Sequence, residues 1–170
     1  YTEWVEFPLA NATSIRQVER HRWPDPSWYD FGPVTEYCRM DDSHCLVGGR
    51  GATLDSVGFF RGPEQAMLDL YENPGIVEAI VEKIFEYQYA YNVRLLEASE
   101  GRLDILFFSE DMGGQDGLLV SREMLCRYVF PKLERYAELA HRYGALAMLH
   151  SDGAIREIIP DLIDLGIDII

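Results

Sequence analysis

The chain has 170 residues, 48% of them hydrophobic and 26% charged, so it can bury a substantial core and does not have the composition of a disordered segment. Its net charge of −14 disfavours nucleic acids and anionic membranes as partners. A chain of this length predicts a single domain over 1–170. The three cysteines show no CxxC spacing, which predicts a reducing, cytoplasmic compartment. No apolar run approaches the roughly 18 residues of a membrane span.

The first third of the chain predicts short elements around an irregular segment. Trp23-Pro-Asp-Pro-Ser-Trp28 excludes a helix interior or a central strand, because each proline lacks an amide donor. The apolar stretch 54–61 contains Gly58 and is ambiguous between helix and strand. The other predicted elements are a helix at 13–22 capped by Thr13 or Ser14, a helix at 34–40 and a buried strand at 44–49.

Three longer helices are predicted from proline positions and apolar periodicity. Pro63 can open a helix over 63–72 and Pro74 can open one over about 75–99, because the missing amide of a proline costs nothing in a first helical turn. The second of them carries a wide apolar face. Ser121 can cap a helix over 121–143, and Pro131 inside it is expected to kink or divide that helix.

Two short apolar strands end in polar residues of similar chemistry. The strand 103–108 leads into Ser109-Glu-Asp111, and the strand 145–149 leads into His150-Ser-Asp-Gly153. Both runs are too short for buried helices, so they are predicted as strands buried on both faces. A helix at 154–164 and the start of a further strand at 167–170 follow.

This alternation predicts a parallel sheet with right-handed crossovers. No GxGxxG follows a strand, and the polar strand ends suit a (β/α)8 TIM barrel better than a dinucleotide fold. The predicted strands are half of the eight that a closed barrel needs. The expected fold is therefore α/β, with the chain forming an N-terminal partial segment of such a barrel.

Polar residues at the carboxyl ends of these strands are the candidate catalytic residues, because α/β folds bind ligands there. Asp111 and Glu110 are candidates for a metal ligand or general acid, or Asp111 caps its loop and Glu110 is solvated. His150 is the leading candidate, the alternative being a hydrogen-bonded core histidine. Asp152 is a candidate to bind a metal or orient His150, or to cap the helix at 154–164.

The candidate substrate-binding residues surround the same strand ends. Gln115 and the Ser151 hydroxyl are candidates to contact a substrate, and Gly113 is expected to allow a close backbone approach. Arg50 and Arg61 follow the second predicted sheet element, and each is a candidate to bind a carboxylate through its planar guanidinium.

Several short motifs follow one another along nearly the whole chain. They are Trp23-Pro-Asp-Pro26, Gly62-Pro-Glu64, Leu68-Asp-Leu-Tyr-Glu-Asn-Pro74, Glu110-Asp-Met-Gly-Gly-Gln115, Val129-Phe-Pro131 and His150-Ser-Asp-Gly153. Their order and spacing resemble the uroporphyrinogen decarboxylase family, which also contains the cobalamin-dependent and coenzyme M methyltransferases. The resemblance implies a (β/α)8 barrel with its cleft at the carboxyl ends of the strands.

The resemblance also implies one of two chemistries. The decarboxylase of porphyrin and haem biosynthesis is a lyase without a cofactor, in which Asp111 would hold the pyrrole N–H groups of uroporphyrinogen III. The methyltransferases bind zinc through a His-x-Cys pair and a later Cys, and they exchange a methyl group with a corrinoid protein. Zinc there stabilises the nucleophilic thiolate.

Here His150-Ser-Asp152 stands in the place of His-x-Cys, with a harder carboxylate ligand in place of the thiolate. A chain of net charge −14 is a poor match for a substrate with eight carboxylates. The favoured hypothesis is a methyltransferase for a small methylated or methoxylated compound. It would bind zinc through His150 and Asp152 and have a corrinoid protein as partner, and it allows for a homodimer. Uroporphyrinogen III decarboxylation and a non-catalytic small-molecule-binding barrel stay open as alternatives.

Overall fold

A computed structural model describes residues 6–40 and 42–170. Within these ranges, one parallel sheet has the strand order β1 (Val47–Gly48), β2 (Ile105–Ser109) and β3 (Leu146–His150). The register aligns Val47 with Ile105 and Ile105 with Leu146. Ile169 forms a single parallel bridge to Met148, so the expected strand at 167–170 is represented by this bridge next to β3.

Helices precede, connect and follow these strands in the sequence. They are α1 (Ile15–Arg20), α2 (Gly32–Met40), α3 (Leu54–Arg61), α4 (Pro63–Glu72), α5 (Pro74–Ala98), α6 (Arg122–Tyr128), α7 (Phe130–Arg142) and α8 (Ile159–Asp164). The predicted helices at 63–72 and 75–99 and the strands at 103–108 and 145–149 are confirmed to within two residues. Among the described residues, none of the helices combines the length and the apolar composition that a membrane crossing requires.

Other boundaries differ from the prediction for physical reasons. The ambiguous stretch 54–61 is helix α3. The strand expected at 44–49 pairs only at Val47–Gly48, and Gly49 leaves it with φ +135°, where a Cβ would lie 2.4 Å from the Phe107 carbonyl oxygen. The helix expected at 121–143 is divided into α6 and α7, and Pro131 lies in the first turn of α7, where it needs no donor.

The interpretation of Asp152 as a helix cap is wrong. The segment expected as a helix at 154–164 opens with a 3-10 turn over Arg156–Ile158, whose N-cap residue is Ile155, and α8 follows directly. Asp152 lies three residues before that cap, in the loop that leaves β3. Its carboxylate is therefore available for another role.

The sheet is covered by helices on one face, which corrects the expectation of strands buried on both. Leu106 and Phe108 of β2 are buried, and the Phe108 ring lies 5.2 Å from that of Tyr136 on α7. The alternate side chains of β2 and β3 are partly exposed, among them Ile105, Phe107, Leu146 and Met148. These parallel strands with crossover helices confirm an α/β fold, and closure into a (β/α)8 barrel remains a prediction.

Candidate metal centre

Asp111, His150 and Asp152 converge at the carboxyl ends of β2 and β3. The register aligns Ser109 with His150, which brings the residues following both strands together. His150 Nε2 lies 3.5 Å from Asp152 Oδ1 and 3.8 Å from Asp111 Oδ1. One ligand atom from each residue lies within 4.8 Å of the others. The three side chains are close enough to share one cation.

The spacing of these atoms fits a tetrahedral metal ion. Zinc bonded to nitrogen and oxygen at about 2.0–2.2 Å holds neighbouring ligand atoms about 3.3–3.5 Å apart. The His150–Asp152 separation matches this value, and the His150–Asp111 separation exceeds it by a few tenths of an ångström. An imidazole with two carboxylates is a harder ligand set than one with thiolates, and three protein ligands leave a coordination position open.

The cluster is accessible from solvent. The side chains of Asp111, His150 and Asp152 are 40%, 49% and 79% exposed. A small molecule or the exposed group of a partner protein can therefore reach them directly. His150 is not the hydrogen-bonded core histidine that was the alternative interpretation.

Backbone hydrogen bonds fix the two loops of the cluster against each other. The Asp152 amide donates to Asp111 Oδ1 at 2.8 Å, and the Glu110 amide donates to the His150 carbonyl oxygen at 2.9 Å. The Met112 amide donates to Ser151 Oγ at 3.0 Å. Ser151 thus joins the loops, and its predicted contact with substrate remains a prediction.

Two glycines bring the same loops into direct backbone contact. A Cβ on Gly113 would lie 2.6 Å from the Ala154 nitrogen, and a Cβ on Gly153 would lie 2.2 Å from the Gly113 carbonyl oxygen. Gly153 has φ +83°, a conformation that favours glycine. The close approach expected at Gly113 is confirmed, and the group that approaches is the neighbouring loop.

Glu110 points away from the cluster and is buried, so its interpretation as a solvated residue is wrong. Its carboxylate accepts hydrogen bonds from the Thr53 amide at 2.6 Å, the Thr53 hydroxyl at 2.8 Å and the Asp55 amide at 2.7 Å. Burial raises the pKa of Glu110 to about 7, although these hydrogen bonds favour the charged form. Glu110 joins the end of β2 to the start of α3, where the sequence offered only an ambiguous apolar stretch.

The remaining predicted residues have other surroundings. Arg61 is buried, and its Nη2 atom lies 2.6 Å from Asp69 Oδ2. Arg50 Nη1 donates to the Tyr87 hydroxyl at 2.6 Å, and its guanidinium lies 4.4 Å from the ring centroid of Tyr91 on α5. Gln115 is exposed in the loop between β2 and α6. Within the described ranges, neither arginine forms a hydrogen bond or an ion pair with Asp111, His150 or Asp152.

Comparison with known proteins gives a structural likeness. No family model matches the chain, and no curated protein matches it. Its fold is similar to that of a solved methyltransferase from Methanosarcina mazei, with a TM-score of 0.56 and 16% sequence identity over 79% of this chain. The chain spans 39% of the length of that methyltransferase. At this identity the likeness establishes a shared fold, and it lends no support to the decarboxylase alternative.

Proposed function

We propose that the chain belongs to a metal-dependent methyltransferase that moves a methyl group between a small methylated or methoxylated compound and a corrinoid protein. The observation that carries this proposal is the convergence of His150, Asp111 and Asp152 at the strand ends. The fold shared with a solved methyltransferase and the resemblance of the sequence motifs support the same chemistry.

Each of the three side chains has a distinct part in this proposal. His150 would supply the nitrogen ligand, and Asp152 would supply the oxygen ligand that replaces the usual thiolate. Asp111 would supply a second oxygen, and its position is fixed because it accepts the Asp152 amide. Bound zinc would act as a Lewis acid that activates a nucleophile or leaving group at its open position. The two carboxylates would balance the two positive charges of the metal.

The alternatives fit the described residues less well. A substrate with eight carboxylates needs cationic side chains at the site, but Arg61 is paired with buried Asp69 and Arg50 lies against tyrosines of α5. The cluster itself carries two carboxylates, which repel such a substrate. A non-catalytic binding protein would bind small molecules without needing His150, so the properties of His150→Ala separate that case.

The test measures zinc binding and methyl transfer on the same protein. Calorimetric titration of chelator-treated protein with zinc should show one site, and His150→Ala should weaken it at least tenfold. His141→Ala is the matched control, because His141 is also exposed but pairs with Asp168 away from the cluster. Methylcobalamin formation from cob(I)alamin and methylated or methoxylated compounds should require zinc and His150. Full transfer activity in chelator, or in His150→Ala, would refute the proposal.

A further inference from the structure

A small cleft of about 130 Å³ opens beside Asp111, between helices α3 and α4 on one side and α6 on the other. Most of its lining is apolar and includes Leu54, Met67, Met112 and Leu125. An apolar cavity of about 150 Å³ in another protein binds benzene, so this cleft has room for a single aromatic ring. Because Asp111 belongs both to the lining and to the candidate metal centre, a ring in the cleft lies next to that centre.

Two large apolar side chains stand at the mouth of the cleft. Met67 on α4 is 49% exposed, and Leu119 in the loop between β2 and α6 is 53% exposed. Exposed apolar side chains that border an apolar cleft are typical of a ligand-binding groove, because a ligand that covers them removes apolar surface from water. Met67 and Met112 both line the cleft, and methionine sulfur makes favourable contacts with aromatic rings.

The charged side chains of the lining favour an uncharged ligand. Glu110 accepts three hydrogen bonds from Thr53 and Asp55, the Asp55 side chain is exposed to water, and the proposed metal balances the charge of Asp111. None of these carboxylates therefore needs a cation from the ligand. No arginine, lysine or histidine of the described ranges lines the cleft, so an anionic substituent would meet like charge without a basic side chain to offset it.

We propose that this cleft binds the ring of an uncharged methoxylated arene, with the methoxy group at the Asp111 end. The proposal rests on the proposed function, since it narrows the substrate class of the same site. The ring covers the apolar lining and displaces water from it. Transfer of the methyl group to cob(I)alamin would break the O–CH3 bond and leave its electron pair on the oxygen of a phenolate product. The new cobalt–carbon bond would take its electron pair from cobalt.

The test compares two uncharged methoxylated compounds, of which only one has a ring. Anisole and dimethoxyethane are titrated into the protein and followed by calorimetry or ligand-observed NMR. Anisole should bind at least about tenfold more tightly, because only its ring fills the apolar part of the cleft. This comparison uses the unaltered protein, so it does not depend on whether a variant folds. An affinity for anisole no higher than that for dimethoxyethane would overturn the proposal.

A pair of matched variants then locates the bound ring. Met67→Ser removes most of an apolar side chain from the mouth of the cleft, and it should lower the affinity for anisole at least about threefold. Leu68→Ser is the control, because Leu68 is the next residue of α4 and is 46% exposed but does not line the cleft. Unchanged binding in Met67→Ser, or an equal loss in both variants, would overturn the assignment.

Zinc titration of the same samples separates this inference from the proposed function. Met67 is not a member of the candidate metal centre, so Met67→Ser should bind zinc as the unaltered protein does. If zinc binds and methyl transfer proceeds from a compound without a ring but anisole does not bind, the cleft assignment fails alone. If anisole binding depends on Met67 in a protein that neither binds zinc nor transfers methyl groups, the cleft assignment stands and the proposed function fails.

Discussion

Gly113 and Gly153 meet backbone to backbone, and this contact sets the separation of the loops that carry Asp111 and Asp152. A side chain on either glycine would overlap main-chain atoms of the opposite loop, at 2.6 Å or less. The amide of Asp152 reaches Asp111 Oδ1 only while the loops stay this close. The geometry of the candidate metal centre therefore depends on two residues that have no ligand atom.

Gly113→Ala is expected to weaken zinc binding at least tenfold, because its Cβ would lie 2.6 Å from the Ala154 nitrogen and force the loops apart. Unfolding by urea should show a destabilisation of about 1–3 kcal/mol, the usual range for overpacking. Gly117→Ala is the control in the same loop, since nothing lies within 4 Å of the Cβ position there. Equal zinc affinities in both variants would show that the glycine contact does not position the ligands.

Asp152→Cys is expected to convert the cluster into a softer metal site. A thiolate at this position should raise zinc affinity and, with Co²⁺ as a spectroscopic probe, produce a sulfur-to-cobalt charge-transfer band that the unaltered protein lacks. Ser151→Cys is the matched control, because Ser151 Oγ accepts the Met112 amide and is not a member of the cluster. A charge-transfer band of equal strength in both variants would contradict the proposed ligand position.

The sequence predicted that Asp111, His150 and Asp152 converge, because each follows an apolar strand and parallel strands present their carboxyl ends at one edge of a sheet. The contact of Gly113 with Gly153 and the bonds of Glu110 to Thr53 were not predictable. They join residues 40 and 57 positions apart by atoms that no local pattern specifies. Asp152 was open to a cap interpretation because a polar residue before a helix has the same pattern, whether or not the helix begins there.

Arg61→Leu is expected to destabilise the protein by about 3–5 kcal/mol, the range for leaving one member of a buried ion pair uncompensated. Arg61 donates to Asp69 Oδ2 at 2.7 Å, and both side chains are buried. Arg39→Ala is the control, because its pair with Glu100 is exposed and should contribute no more than about 1 kcal/mol. Urea unfolding measures both, and similar losses would contradict the structural role of Arg61.

The same buried pair predicts how Asp69 makes the free energy of unfolding depend on pH. The sign of that contribution should reverse when Arg61 is replaced by leucine. Burial tends to raise the pKa of Asp69, but hydrogen bonds from Asn73, Gln65 and Arg61 and the charge of Arg61 lower it below its usual value. A lowered pKa in the folded state means that the stabilisation by Asp69 is present above the unfolded pKa of about 3.9 and is lost as the pH falls through the folded pKa.

In Arg61→Leu the burial of Asp69 is no longer offset by a cation, so protonation of Asp69 should favour the folded state. Relative to the unaltered protein, this variant should therefore become less destabilised as the pH falls from 6 to 3. Urea unfolding across this range, compared with Asp69→Asn in the same background, isolates the contribution of the carboxylate. A constant difference across the range would mean that Asp69 is not held by Arg61.

A substitution on the exposed face of the sheet tests whether the strands close into a barrel. Val47, Ile105 and Leu146 lie in register across the three strands, and Leu146 is 48% exposed. Further strands of a barrel would bury this layer of side chains in the interior, as a (β/α)8 core does. Leu146→Ser should then cost about 2–3 kcal/mol, far more than its exposure here implies. Ile163→Ser on α8, where the side chain is 61% exposed, should change stability by less than about 0.5 kcal/mol. If urea unfolding showed equally small losses of stability in Leu146→Ser and Ile163→Ser, the Leu146 side chain would lie in solvent. That result would exclude a closed barrel around this face.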